Sequence, residues 1–160
     1  MSFGSFWSGL KAIRIDPATG KRAAEDAKVH ALARRANPGA IEAPYIIERG
    51  GYYYLFASND FCCRGEKSTY YTVVGRSKNV LGPYVDFDGK PMLEGFAQVV
   101  LHGDLDKTKR WRGPGHVSIL RDGQKHYIAY HAYDAQNRGR PTLRIAPLGW
   151  TADGWPVAQP

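Results

Sequence analysis

From residue 40 onward the chain alternates short aromatic and β-branched runs with Gly, Pro, Asn and Asp, the punctuation of short antiparallel strands. The runs fall into two groups of four. Residues 43–48, 52–58, 69–77 and a short piece near Tyr84 make the first group, and residues 117–121, 126–131, 143–148 and 155–157 make the second. Turns such as Arg49-Gly50-Gly51 and Arg121-Asp122-Gly123 space them as a propeller blade or a β-sandwich would, and periodicity alone does not separate those two folds. Internal similarity does. Both groups open on a strand bearing Pro or Gly and continue with an aromatic-rich strand, Tyr52-Tyr53-Tyr54-Leu55-Phe56 against His126-Tyr127-Ile128-Ala129-Tyr130. Each then places a strand carrying an arginine. Repeated four-stranded units point to an all-β propeller.

The opening stretch reads differently. Residues 4–15 form a hairpin closed at Ile15-Asp16-Pro17-Ala18-Thr19-Gly20, and the polar, Ala- and Arg-rich residues 21–37 allow a short helix between Ala23 and Arg34. The hairpin amounts to half a blade, so an open strand edge and an unburied face are expected, to be covered by something else. The predicted organisation is one partial propeller domain over residues 1–160. It comprises a half blade and connector (1–40), a blade (41–95) and a blade with an insertion (96–160).

Composition narrows the partners. With 160 residues, 43% of them hydrophobic, the chain can build a core of its own. The net charge of +7 would suit an anionic partner, but the cations are scattered (Lys21, Arg22, Lys28, Arg34 and Arg35, then Lys107, Lys109, Arg110 and Arg112) and no nucleic-acid module surrounds them. Neither nucleic acid nor membrane is an expected partner, because no apolar run approaches the roughly 18 residues of a span. The N-terminus lacks the basic-then-apolar pattern of a signal peptide, so this chain leaves localisation open. The two cysteines, Cys62 and Cys63, are adjacent, which rules out zinc spacing. They are read as reduced thiols, with a vicinal disulfide as the other possibility.

Three motifs carry a resemblance: Phe3-Gly4-Ser5-Phe6-Trp7-Ser8-Gly9, Ile41-Glu42-Ala43-Pro44-Tyr45-Ile46 and Trp111-Arg112-Gly113-Pro114-Gly115-His116. Together with Tyr52-Tyr53-Tyr54-Leu55-Phe56, Cys62-Cys63-Arg64-Gly65, Val74-Gly75-Arg76-Ser77 and Pro141-Thr142-Leu143-Arg144-Ile145, they resemble the arabinanases of glycoside hydrolase family 43 over nearly the whole chain. The resemblance implies a five-bladed propeller of which this chain supplies about two and a half blades. It also implies inverting hydrolysis of arabinose-containing plant polysaccharide by three carboxylates. An Asp in the first blade is the base, an Asp in the third tunes the acid, and a Glu opening the fourth is the acid.

Glu42 matches that acid. Its neighbours Ile41, Ala43, Pro44 and Tyr45 are apolar, and desolvation there favours the proton-bearing carboxyl that such chemistry needs. On the same resemblance, His116 matches a histidine near the propeller axis that helps hold a structural calcium, while the chemistry requires no cofactor. Phe6 and Trp7 resemble an aromatic platform for sugar rings, whose apolar faces favour flat surfaces. Asp60 and Arg64 belong to a loop expected at the cleft rim, free to contact sugar hydroxyls or to pair with each other. Tyr133, with His131 and Asp134, is expected at the cleft wall.

The resemblance also departs from the family. The blades that carry the base and the tuning Asp are expected to precede Phe3, and no Asp here sits in a motif that matches either. Three readings follow: a homo-oligomer that closes the ring and brings two Glu42 carboxylates together, a glycan-binding module without hydrolysis, or an inactive half of an arabinanase.

Overall fold

Strands whose residues alternate between two apolar faces must be covered on both sides, and the middle of this chain is built that way. The computed structural model describes residues Met1–Pro160 and contains three antiparallel sheets that follow one another along the chain. The first has the order β1 (Ser2–Phe3), β2 (Leu10–Ala12), β3 (His30–Ala33). The second runs β4 (Ile41–Arg49), β5 (Tyr52–Asn59), β6 (Tyr71–Ser77), β7 (Gln98–Leu101). The third runs β8 (Trp111–Asp122), β9 (Lys125–Asp134), β10 (Arg140–Trp150), β11 (Pro156–Ala158). Two complete four-stranded meanders and one partial sheet are the propeller blades that the sequence pattern points to.

Side-chain alternation on the middle sheet defines two cores. Leu55, Ala57 and Val73 pack with Leu10, Leu32, Ala33 and Ile41 towards the first sheet. Tyr54, Phe56 and Val74 pack with Val117, Ile128, Tyr130 and Leu148 towards the third. The last sheet has one covered face only. Its Ala146 and Leu148 point into the core, whereas Leu143 and Ile145 are 71% and 61% exposed, with Leu120 and Val157 also bare on the same side.

Two elements differ from the sequence pattern. Residues 23–34 contain no helix; they end in β3, where Leu32 and Ala33 are buried against the middle sheet. Pairing with β2 there outweighs the helix preference of the alanines. The fourth strand of the middle sheet is β7 rather than the segment near Tyr84. Val85 makes only isolated bridges, to Arg76 and Pro91, and the prolines at 83 and 91 remove donors that a longer ladder would need. The cysteine reading is also corrected. Cys62 and Cys63 are bonded to each other, so neither is a free thiol.

The insertion at residues 103–110 is folded back by its own polar groups. Asp106 accepts from the Thr108 and Trp111 N–H groups at 2.9 and 2.7 Å. Arg110 forks onto Asp134 through Nε and Nη2 at 2.9 and 2.7 Å. This ion pair holds the Asp134 carboxyl below the usual carboxylate range, helped by the Gln136 N–H and opposed by desolvation. Many remaining cations lie over aromatic faces: Arg49 over Trp150, Arg76 over Tyr52 and Trp155, Arg144 over Trp111.

Two predictions follow from this packing. Phe56→Ala empties a fully buried position between the second and third sheets and should lower the unfolding free energy by about 3–5 kcal/mol, read by urea denaturation. Asp134 has a depressed folded pKa, so its stabilisation is present above the unfolded value of about 4 and fades as pH falls through the lower folded value. Asp134→Asn should therefore be less stable than the parent at pH 7, with the gap narrowing at pH 3; an equal gap at both would remove the Arg110 pair as its cause.

Candidate functional site

The β4–β5 and β8–β9 pairs each carry irregularities at the same end. The β4–β5 register shifts between Glu42 and Tyr45, and β8–β9 shifts on either side of Gly115. Such bulges re-aim side chains out of the regular pleat. Around them the backbone takes left-handed conformations that side chains disfavour: Ala43 at φ 53° and His116 at 52°, with Phe6, Trp7, Asp60 and Cys63 in the adjoining loops. Strained residues gathered at this end single it out as a candidate site.

Glu42 lies at the centre of this end. Its backbone bridges Ser5, and the Phe6 N–H donates to the Ile41 carbonyl at 2.8 Å, which docks the 4–9 loop beside the carboxylate. Two hydroxyls grip that carboxylate. Ser5 Oγ donates to Oε2 at 2.8 Å and the Tyr70 phenol donates to Oε1 at 2.7 Å. The sequence places Glu42 among apolar neighbours, whereas the structure turns its carboxyl towards these two polar groups. Tyr70 is buried and its ring stacks on His131, 5.6 Å between centroids with 16° between planes. Burial raises the Tyr70 phenol above its ordinary pKa; the nearby Ser58 hydroxyl works in the opposite sense, and Glu42 adds to the rise.

His131 and Tyr133 extend the cluster around Glu42 and Tyr70. The His131 imidazole is held below its ordinary pKa by burial and then by His116, while Glu42 opposes this, so the ring is neutral at neutral pH. Tyr133 meets His131 edge-on at 5.3 Å, and its hydroxyl accepts the Cys63 N–H at 2.7 Å, tying the cluster to the disulfide loop. Gly115 lies beneath Tyr70. A Cβ at Gly115 would come within 2.3 Å of the Tyr70 ring, so only glycine lets β8 approach this closely.

The remaining sequence candidates divide. Phe6 is half-buried with its ring 6.0 Å from Phe61, and Trp7 is 90% exposed at the tip of the same loop. Arg64 lies over the Phe61 ring at 4.5 Å. Asp60 does not pair with Arg64; its carboxylate is taken by Arg35, which also donates to the Ala40 carbonyl. Asp134 pairs with Arg110 and makes no contact with Glu42. Ser5 and Tyr70 were not singled out from the sequence. Ser5 sits inside the first motif, but the Ser68-Thr69-Tyr70-Tyr71 run gives no sign of which hydroxyl will face the carboxylate.

His116 uses its backbone, not its ring, within this structure: its N–H donates to Ser58 Oγ at 2.9 Å. No three His, Cys, Asp or Glu side chains converge as a metal-binding group. Calcium takes six to eight ligands, chiefly oxygen, so the His116 imidazole could supply at most one of them. A cleft of about 560 Å³ lies apart from Glu42. It lies between β7, the 103–110 insertion and the start of β8, and is lined by residues including Leu101, Leu105, Trp111, Tyr130 and Arg144.

Known proteins resemble this chain closely in sequence and fold. The exo-α-(1→5)-L-arabinofuranosidase of Cellvibrio japonicus is 43% identical, covering 98% of this chain and 46% of that protein. The endo-α-(1→5)-L-arabinanase 1 of Bacillus subtilis is 42% identical over 98% of this chain and 45% of its own length. The α-L-arabinanase of Cellvibrio cellulosa, solved in complex with arabinohexaose, superposes with a TM-score of 0.90 at 40% identity, covering 99% of this chain and 52% of that one. The chain thus spans about half the length of the relatives it matches. The family model described as Glycosyl hydrolases family 43 matches residues 1–156, and together with the blades and the Glu42 site this places the chain in that family.

Proposed function

We propose that this chain acts in hydrolysis of α-L-arabinofuranosyl linkages of arabinan-type polysaccharide, with Glu42 as general acid. The observation that carries the reading is the Glu42 carboxyl itself, fixed through both oxygens by Ser5 and Tyr70 beside an aromatic loop. Glu42 would hand its proton to the glycosidic oxygen as the bond to the anomeric carbon breaks. Water would attack the opposite face of the sugar. Phe6 and Trp7 offer flat apolar surface to the ring, Arg64 offers donors to its hydroxyls, and Tyr133 holds the rim loop in place. The printed names of the arabinan-acting relatives, and the arabinohexaose bound to one of them, support this substrate class.

An inverting reaction also needs a base, with the two carboxyl groups roughly 6.5–9.5 Å apart. Asp60 is engaged by Arg35, and no residue of this chain is assigned that role. A homo-oligomer that covers Leu120, Leu143, Ile145 and Val157 would bury the bare face of the last sheet and bring in a second carboxylate. A structural calcium beside His116 would draw its oxygen ligands from water or from such a partner, and no chemical step passes through it. The engaged Asp60 also favours a second reading, a glycan-binding module that does not hydrolyse.

Reducing-sugar release from debranched arabinan, with molar mass measured by light scattering on the same sample, tests these readings. Turnover by an oligomer, lost at least a hundredfold in a folded Glu42→Gln variant, is the expected result. Wild-type rates in Glu42→Gln would remove Glu42 from the mechanism. Binding of arabino-oligosaccharide without turnover would establish the second reading.

A further inference from the structure

The two hydroxyls on Glu42 are unlike in freedom. Ser5 is exposed, and its hydroxyl can rotate to donate or to accept. Tyr70 is 1% exposed, stacked on His131 and closed in against Gly115, so its phenol cannot swing away. Burial keeps that phenol protonated wherever a carboxyl titrates, and its hydrogen points at Oε1. A carboxyl proton on Oε1 would meet the phenolic hydrogen head-on. The phenol would then have to give up that bond and turn towards Ser58 Oγ, sharing this acceptor with the His116 N–H. A proton on Oε2 meets no such conflict, because Ser5 can turn and accept it.

We propose that Tyr70 is a positioning residue that keeps the Glu42 proton on Oε2, the oxygen facing Ser5 and the loop bearing Phe6 and Trp7. The proposal rests on the reading of Glu42 as general acid. The proton leaves from Oε2 to the glycosidic oxygen, and the charge left on the carboxylate is met at Oε1 by a donor already in place. Only the Ser5 hydroxyl has to turn back, and a donor already in place at Oε1 stabilises the developing charge at little cost. Ser5 faces Glu42 from the loop after β1, Tyr70 from ahead of β6 and His131 from β9, with His116 of β8 acting on His131.

The test compares the parent chain with Tyr70→Phe and Ser5→Ala. Tyr70→Phe keeps the ring on His131 and Gly115 and removes only the hydroxyl. Carbon-13 NMR of the glutamate carboxyls, with the Glu42 signal identified by its loss in Glu42→Gln, follows the titration directly and requires no turnover. Losing a donor to the charged form moves the midpoint up, and the expected shift in Tyr70→Phe is about one pH unit or more. Ser5→Ala should move it by less than half as much. In parallel, kcat on debranched arabinan should fall about tenfold or more in Tyr70→Phe while KM stays within about twofold, because Tyr70 is closed off from solvent. An unmoved midpoint in Tyr70→Phe, or an equal or larger shift in Ser5→Ala, overturns the proposal. Should the parent chain show no turnover, the hydrolase reading fails, while the midpoint comparison still decides whether the Tyr70 hydroxyl acts on the Glu42 carboxyl.

Discussion

The structure depends on the middle sheet having no free face. Leu55, Ala57 and Val73 look one way and Tyr54, Phe56 and Val74 the other, so neither flanking sheet can shift without uncovering apolar surface. Glu42 lies near the start of that sheet's first strand and Tyr70 leads into its third. Their hydrogen bond therefore joins two segments whose separation is set by the best-packed part of the molecule. The third sheet contributes Gly115 and His131, pressed against Tyr70 by the same core. Precision at the carboxylate is a by-product of burial elsewhere.

Much of the fold was legible because alternation is strong where burial is one-sided or two-sided and regular. Strands β5, β9 and β10 contain the predicted segments, extended at their ends by backbone pairing that side-chain pattern does not record. The misreadings have physical causes. The alanines and arginines before β3 carry helix preference, but Leu32 and Ala33 are buried by a partner strand distant in sequence. The Gln98-Val99-Val100-Leu101 run reads equally well as the start of the next unit, and only its register on Val73 and Val74 assigns it to the middle sheet.

The site was legible to a different depth. Glu42 stood out through the motif around it, and the aromatic loop through its own composition. What escaped was pairing at a distance: Arg35 taking Asp60, Arg110 taking Asp134, and Tyr70 reaching Glu42 across 28 positions. A sequence exposes residue types and spacing along one strand. It does not expose which hydroxyl another strand delivers, and that choice sets the direction of every hydrogen bond around the acid.

Consecutive left-handed residues at Phe6 and Trp7 have an evolutionary consequence. Glycine or asparagine would occupy those positions with less backbone penalty, and Trp7 gains little burial in return. Mutational drift in a lineage released from its ligand should wear such residues away first, while the two-sided core persists. Such a lineage would carry glycine or asparagine at positions 6 and 7 over an unchanged core.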